Sequence, residues 1–245
     1  MKRNLKITIG ILLILAVMTV AGCGTSNTTP ENGGDTSDFT PVVWKFANQH
    51  NSEQTATILD KEIIEEIKEA TENRVIIELF SDSSLGDYTS VFDELMLGTI
   101  QMAHITGVES YDSRITSPML PYLATTYEEA EKAYRTDGFI FTQTTEALNN
   151  LNIRLMGLFP EGFVGIGSQK KVEQPAAVGV EKNALIRVPM LDVFALSTKD
   201  LGYRVASIAY ADSYAALQTG VVDGMDGNGA LATYVAFRDV TKYFY

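Results

Sequence analysis

The stretch Leu185-Ile186-Arg187-Val188-Pro189 places a single arginine inside a short apolar run that ends at a proline. Such a run predicts a β-strand with Arg187 near its C-terminal end. Open α/β sheets bind ligands at the C-terminal ends of their strands, and a planar guanidinium can hold both oxygens of a carboxylate. We therefore expect an organic anion at Arg187. The alternatives are an ion pair with a buried Asp or Glu, or plain exposure at a strand end.

The segments before this stretch alternate between strand and helix patterns. Residues 55–71 carry apolar side chains at helical spacing, and a strand pattern on each side makes a βαβ unit. The predicted elements are strands at 42–47, 74–80, 102–105 and 153–159, and helices at 55–71, 89–97 and 127–135. This order predicts an α/β fold with mainly parallel strands.

The first 22 residues have the composition of a secretory signal, with three basic residues before an apolar run at 7–20. That run is shorter than the roughly 20 apolar residues that a membrane-spanning helix needs. The sequence Val20-Ala21-Gly22-Cys23 is similar to the bacterial lipobox, which predicts a signal peptide at 1–22 and lipidation at Cys23. Cys23 is the only cysteine, so no intrachain disulfide can form. The alternative is an uncleaved signal anchor with a free thiol.

The charge of the chain is strongly acidic. Asp and Glu number 31 against 19 Lys and Arg, a formal net charge of −12, and cleavage after residue 22 would remove three basic residues and no acidic ones. This balance argues against binding to nucleic acid or to anionic lipid, and makes a positive pocket at Arg187 more significant. Residues 23–40 are almost devoid of apolar side chains, which predicts a flexible tether.

Several short motifs occur together in one order along the chain. Ile186-Arg187-Val188-Pro189, Leu201-Gly202-Tyr203 and the stretch 216–224 resemble the substrate-binding proteins of tripartite ATP-independent periplasmic (TRAP) transporters, the DctP family. Further matches upstream are Trp44-Lys45-Phe46-Ala47, Leu85-Gly86-Asp87, the stretch 97–103, Pro121-Tyr122-Leu123 and Glu161-Gly162-Phe163. The resemblance covers about positions 42 to 245.

The resemblance implies a two-lobed periplasmic-binding-protein-like fold with a ligand cleft between two α/β lobes. It predicts lobe I at 41–160, lobe II at 161–241, and the start of a strand returning to lobe I at 242–245. Family members continue for several dozen residues, so we expect lobe I to be incomplete and the chain to be truncated at its C-terminus. The glycines at 162, 165 and 167 lack the order of a dinucleotide fingerprint and suggest a bending, crossing strand.

Carried over residue by residue, the resemblance makes Arg187 the principal anchor of a substrate carboxylate. Val164 stands where many sialic-acid-type members carry a second cation, which favours a monocarboxylate with some apolar body. Phe163 would stack against that body or fill the core. The other predicted ligand contacts are Asp226, Asn228, Tyr210 and His50. For Asp226 and Asn228 the alternative is a glycine-rich turn that they stabilise locally.

The sequence thus predicts an extracytoplasmic, lipid-anchored receptor that captures a small organic acid and delivers it to membrane permease subunits. No cofactor, no metal and no enzymatic activity are expected. Acylation would consume the only cysteine, and a Ser-type hydrolase is disfavoured because no G-x-S-x-G elbow is present. A calcium loop at 225–229 is disfavoured by its acidic spacing. A sensor that presents its ligand to a membrane signalling partner would use the same cleft and remains an alternative.

Overall fold

The computed structural model describes residues 39–245. The predicted signal peptide at 1–22, the lipidation at Cys23 and all but the last two residues of the tether at 23–40 lie outside the described residues. The strands are β1 Val42–Asn48, β2 Val75–Phe80, β3 Met102–His104, β4 Val164–Ser168, β5 Lys182–Val188, β6 Tyr203–Ser207, β7 Gly224–Gly229 and β8 Tyr243–Phe244. The α-helices are α1 Thr55–Ala70, α2 Tyr88–Leu97, α3 Tyr127–Ala133, α4 Phe139–Asn149, α5 Asp192–Asp200, α6 Ser213–Gln218 and α7 Ala230–Phe237, with 3-10 turns at Ser113–Met119 and Tyr210–Asp212.

The first sheet is parallel and three-stranded, in the order β2-β1-β3. Successive side chains of β1 point to opposite faces, so Phe46 packs with Ile64 of α1 while Ala47 packs with Val91 of α2. One helix therefore covers each face of the sheet. We call the elements from β1 to α4 lobe I.

The second sheet has five strands in the order β6-β5-β7-β4-β8. Strand β5 runs parallel to β6 and β7, whereas β4 is antiparallel to β7 and β8. β7 lies in the centre, and Gly224 allows its close approach to β5, because a Cβ there would lie 2.9 Å from Ile186 Cδ1. We call the elements from β4 to β8 lobe II.

Six of the seven elements predicted within residues 42–159 are confirmed to within about two residues at each end, and the strand predicted at Arg187 is β5. Helix α2 ends at Gly98, whose φ of 76° is the left-handed conformation that closes many helices. In α1, however, fewer apolar side chains are buried than their helical spacing predicts. Ile64 is buried, but Ile58 and Ile63 are nearly half exposed, and the buried face includes Thr57 and Asp60.

The strand predicted at 153–159 is wrong. Residues 154–163 run without regular secondary structure, and the next strand begins at Val164. Ile153 and Leu155 pack on the core of lobe I around Tyr88 and Phe92, which explains the alternating apolar pattern without strand pairing. An alternating pattern of apolar residues indicates that one side of an extended segment is buried. It does not indicate that the segment is hydrogen-bonded to another strand.

The lobe boundaries expected at 160 and 241 stay predictions, because residues 39–245 form one compact unit. Tyr243 and Phe244, expected to begin a return to lobe I, pair with β4 at the edge of the second sheet. Within residues 39–245, no helix combines the length and apolar character needed to cross a membrane.

Candidate binding site at Arg187

Arg187 is fully buried near the C-terminal end of β5. Its Nε donates to the carbonyl oxygen of Ile208 at 2.9 Å, and Nη1 donates to that of Asp226 at 3.3 Å. The ring of Tyr210 lies 5.8 Å from the guanidinium carbon. Among the described residues, no carboxylate lies within salt-bridge distance of Arg187. The positive charge is therefore held in place by neutral groups.

The electrostatics of this region are set by burial. Burial lowers the pKa of Arg187, while the charges of the nearby groups, Asp87 and Asp226 among them, act in the opposite direction. Guanidinium groups nevertheless stay protonated in proteins. Burial also raises the pKa of Tyr210, against the lowering effect of hydrogen bonds from Asn228 and Gln54, so this phenol stays neutral and can donate a hydrogen bond.

Asp226 and Asn228 lie two residues apart on β7 and so share one face of the sheet. Both Asp226 oxygens are engaged: Oδ2 accepts from Thr198 Oγ1 at 2.6 Å, and Oδ1 accepts from the backbone N of Gly227 at 2.7 Å. Burial raises the pKa of Asp226 against the lowering effect of those hydrogen bonds. Asp226 thus supports Arg187 through its backbone carbonyl, and its direct contact with a ligand stays a prediction.

Three buried side-chain atoms around Arg187 and Tyr210 make no well-aligned hydrogen bond among the described residues, although Asn228 and Gln54 lie beside the Tyr210 hydroxyl. They are Asn228 Nδ2, Gln54 Nε2 and Asp87 Oδ1. The other amide atom of Gln54, Oε1, accepts from Asn51 N at 2.8 Å, so its free Nε2 is a donor. Buried polar atoms without partners are rare in folded proteins and point to a missing ligand or solvent.

Gln54 and Asp87 occupy the N-cap positions of α1 and α2, yet neither side chain caps its helix. An aspartate at this position ordinarily accepts from the first turn of the helix. Here Asp87 leaves one carboxylate oxygen unpaired and buried instead. Both residues belong to lobe I, whereas Arg187 and Asn228 belong to lobe II, so the unpaired atoms come from both lobes.

His50 lies in a polar cluster beside this region, at the end of β1. Its Nδ1 contacts Asn48 Oδ1 at 2.9 Å, and its Nε2 lies 3.2 Å from Glu161 Oε1. His104 packs against it with ring centroids 5.1 Å apart and pairs with Asp60 at 3.0 Å. Because both ring nitrogens of His50 are occupied, its role as a ligand contact stays a prediction.

Phe163 lies away from Arg187, with no recorded contact to it. Its side chain is 40% exposed, and its ring packs against Tyr127 of α3 in a tilted arrangement with the centroids 5.0 Å apart. Arg187, Tyr210, Asp226 and Asn228 are brought together, and Phe163 and His50 lie in neighbouring clusters. Within residues 39–245, no group of three Asp, Glu, His or Cys side chains is placed to hold a metal ion.

The family model for bacterial extracellular solute-binding protein, family 7, named DctP, matches residues 46–245. The chain belongs to the DctP family. The resemblance found in the sequence motifs is thereby confirmed, as is the two-lobed α/β fold.

Individual relatives of this DctP chain are distant in sequence. A solute-binding protein of Roseobacter denitrificans is 28% identical over 210 residues, covering 84% of this chain and 62% of that protein. The C4-dicarboxylate-binding periplasmic protein DctP of Vibrio cholerae is 25% identical over 209 residues, covering 81% and 59%. The chain therefore spans about three fifths of the length of these curated relatives.

Solved structures of TRAP periplasmic solute-binding proteins share the fold of the chain. The protein from a Sulfitobacter species with bound β-D-galacturonate has a TM-score of 0.74 at 21% identity, covering 83% of this chain and 67% of that one. The protein from Haemophilus influenzae with bound L-gulonate has a TM-score of 0.73 at 22% identity, covering 82% and 66%.

Sequence reasoning missed Gln54 as a member of the site. It quoted Asp87 and Glu161 only as parts of the Leu85-Gly86-Asp87 and Glu161-Gly162-Phe163 motifs. A polar residue directly before a predicted helix is normally assigned to capping, so the pattern alone gives no signal that Gln54 and Asp87 keep buried polar atoms without partners.

Proposed function

We propose that this chain acts as the extracytoplasmic solute-binding component of a TRAP-type transporter. It captures a small organic acid at Arg187, between the two lobes, and delivers it to membrane permease subunits. The observation that carries this proposal is the buried Arg187 without a carboxylate partner among the described residues. A buried charge is costly unless it is paired, and a ligand carboxylate would supply the partner.

The unpaired atoms around Arg187 support an acid that also carries hydroxyl groups. Asn228 Nδ2 and Gln54 Nε2 are donors suited to carboxylate or hydroxyl oxygens, and Asp87 Oδ1 is an acceptor suited to a hydroxyl proton. This departs from the expectation of an acid with an apolar body, for which Phe163 was the proposed wall. The Sulfitobacter and Haemophilus proteins of the same fold hold hydroxylated sugar acids.

Membrane attachment belongs to the proposal as well. Cleavage after residue 22 would expose Cys23 for acylation, and residues 23–40 would tether the lobes to the membrane surface. Metabolic labelling with a fatty acid tests this: the wild-type chain incorporates label, and Cys23→Ser does not. Label retained in Cys23→Ser would contradict the assignment.

Thermal shift and calorimetry with a panel of acids test the ligand assignment. The panel pairs D-galacturonate, L-gulonate and D-erythronate with hexanoate and succinate, which lack hydroxyl groups. We expect the hydroxylated acids to bind, since a ligand at 100 times its Kd stabilises the folded protein by about 2.7 kcal/mol. Arg187→Ala should weaken that binding by about 2 to 4 kcal/mol.

Asp87→Asn is the companion variant. It should weaken binding of the hydroxylated acids and leave any binding of hexanoate unchanged. If an acid still binds tightly to Arg187→Ala, Arg187 is not the anchor of the ligand carboxylate. If hexanoate or succinate binds better than every hydroxylated acid, the proposed substrate class is wrong.

A further inference from the structure

Two hydrogen bonds join lobe I to the segment that follows β5 in lobe II. The backbone N of Met190 donates to Tyr88 Oη at 3.0 Å, and the backbone N of Asp192 donates to Glu109 Oε1 at 2.6 Å. Tyr88 and Glu109 belong to lobe I, and Met190 and Asp192 follow β5 in lobe II. Glu109, Met190 and Asp192 line one cavity of about 790 Å³, which has residues of both lobes in its wall.

The Glu109 contact is made at the start of a helix that lacks a cap of its own. Helix α5 begins at Asp192, and its N-cap residue is Leu191, whose side chain has no hydrogen-bonding atom. The first backbone N–H groups of a helix need an outside acceptor, and a negative charge there is favoured by the helix dipole. Glu109 supplies the acceptor from lobe I, and its charge adds to that of Asp192, the acidic residue already in the first turn of α5.

We propose that Glu109 is a positioning residue that holds the lobes together by capping α5, and that it thereby sets how long a bound acid stays in the cleft. This inference rests on the proposed function. Separation of the lobes breaks the cap and leaves the start of α5 to water, so the cap contributes only to the joined arrangement. A contact of that kind slows dissociation and leaves the diffusional encounter almost unchanged.

Glu109 is held on lobe I through its place in the chain. Thr116 Oγ1 lies 3.5 Å from Glu109 Oε2, but its nearer acceptor is the carbonyl oxygen of Ser113, at 3.1 Å. Val108, the preceding residue, belongs to the lobe I core with Ile115. Glu109 is therefore attached to the packed core of lobe I through Val108, and its carboxylate is hydrogen-bonded to the backbone of lobe II. We call this contact the clasp.

The test measures ligand exchange in the full chain with D-galacturonate as probe, by stopped flow. Glu109→Ala should dissociate about 3- to 20-fold faster, with an association rate within about twofold of wild type. Glu109→Gln should fall between, because its amide oxygen still accepts from Asp192 N but carries no charge. Ser110→Ala removes a neighbouring polar group of the same cavity and should match wild type.

A second measurement needs no ligand. Spin labels at exposed positions of each lobe, introduced as Leu97→Cys and Leu196→Cys with Cys23→Ser, report the interlobe distance. Adding Glu109→Ala should shift the distribution to longer distances, and Ser110→Ala should not.

The two measurements separate the possible failures. If wild type binds none of the acids, the proposed function fails while the labels still test the clasp. If wild type binds, and Glu109→Ala matches it in both dissociation rate and label distance, the clasp is overturned. A variant with an unchanged thermal transition but faster dissociation supports the clasp, since a merely structural role would not separate the two.

Discussion

At the residue scale, Glu161 links His50 to the connection between the lobes. Burial alone would raise the pKa of Glu161, but the hydrogen bond from His50 and the positive charges of His50 and His104 outweigh it and lower the pKa. A carboxyl with a lowered folded pKa stabilises the folded state above its unfolded value of 4.5, and that stabilisation is lost as pH falls through the folded pKa.

Glu161→Gln should therefore unfold more easily than wild type above about pH 4.5, and the difference should shrink as the pH falls below that value. Denaturant unfolding across about pH 3 to 7 measures it. Glu131→Gln, at an exposed position on α3, is the matched control and should follow wild type throughout. A destabilisation by Glu161→Gln that is constant with pH would contradict the role of the carboxylate charge.

At the element scale, β7 carries the site through a backbone that only glycine suits. Gly227 has a φ of 114°, and a Cβ there would lie 2.8 Å from Pro189 Cγ and 3.6 Å from Arg187 Nη1. Gly227→Ala should lower the free energy of unfolding by about 1 to 3 kcal/mol and weaken acid binding by displacing Arg187. Calorimetry and thermal unfolding report the two effects.

Gly220→Ala is the control that separates the effect of backbone strain from the effect of the steric clash with Pro189. Gly220 also has a positive φ, 71°, but a Cβ there meets nothing within 4 Å. It should cost about 1 kcal/mol of stability and leave the Kd unchanged. Equal Kd values for both variants would show that β7 tolerates a side chain at 227.

The same scale shows what the sequence can and cannot predict. Local patterns gave β1, α1, β2 and α2, because apolar periodicity and a terminal glycine act within a few residues. The failure at 153–159 has a different origin, since pairing depends on a neighbour far away in the chain. Arg187 could be identified from the sequence because a charged residue inside an apolar strand is visible in the local pattern. The unpaired atoms of Gln54 and Asp87 could not be predicted, because their surroundings depend on how the two lobes pack.

At the scale of the whole molecule, the negative net charge of the chain repels the proposed anionic ligand. The chain has a formal net charge of −12, so an approaching carboxylate is repelled until it reaches Arg187. The association rate of D-galacturonate should therefore rise about two- to fivefold as salt increases from about 10 to 200 mM, because the repulsion is screened. Stopped-flow binding measures this.

The dissociation rate should change much less with salt, because the Arg187 contact is buried. An association rate that falls with salt would mean that the local field of Arg187, rather than the acidic surface, dominates the approach.

The start of α1 at Gln54 also has an evolutionary consequence. A serine, threonine or aspartate at this position would stabilise α1 by about 1 kcal/mol, so selection for stability alone favours replacement of Gln54. A continuing demand for ligand would favour its retention. Among descendants of this chain, a capping residue at position 54 would therefore be the expected mark of a lineage that has abandoned its solute.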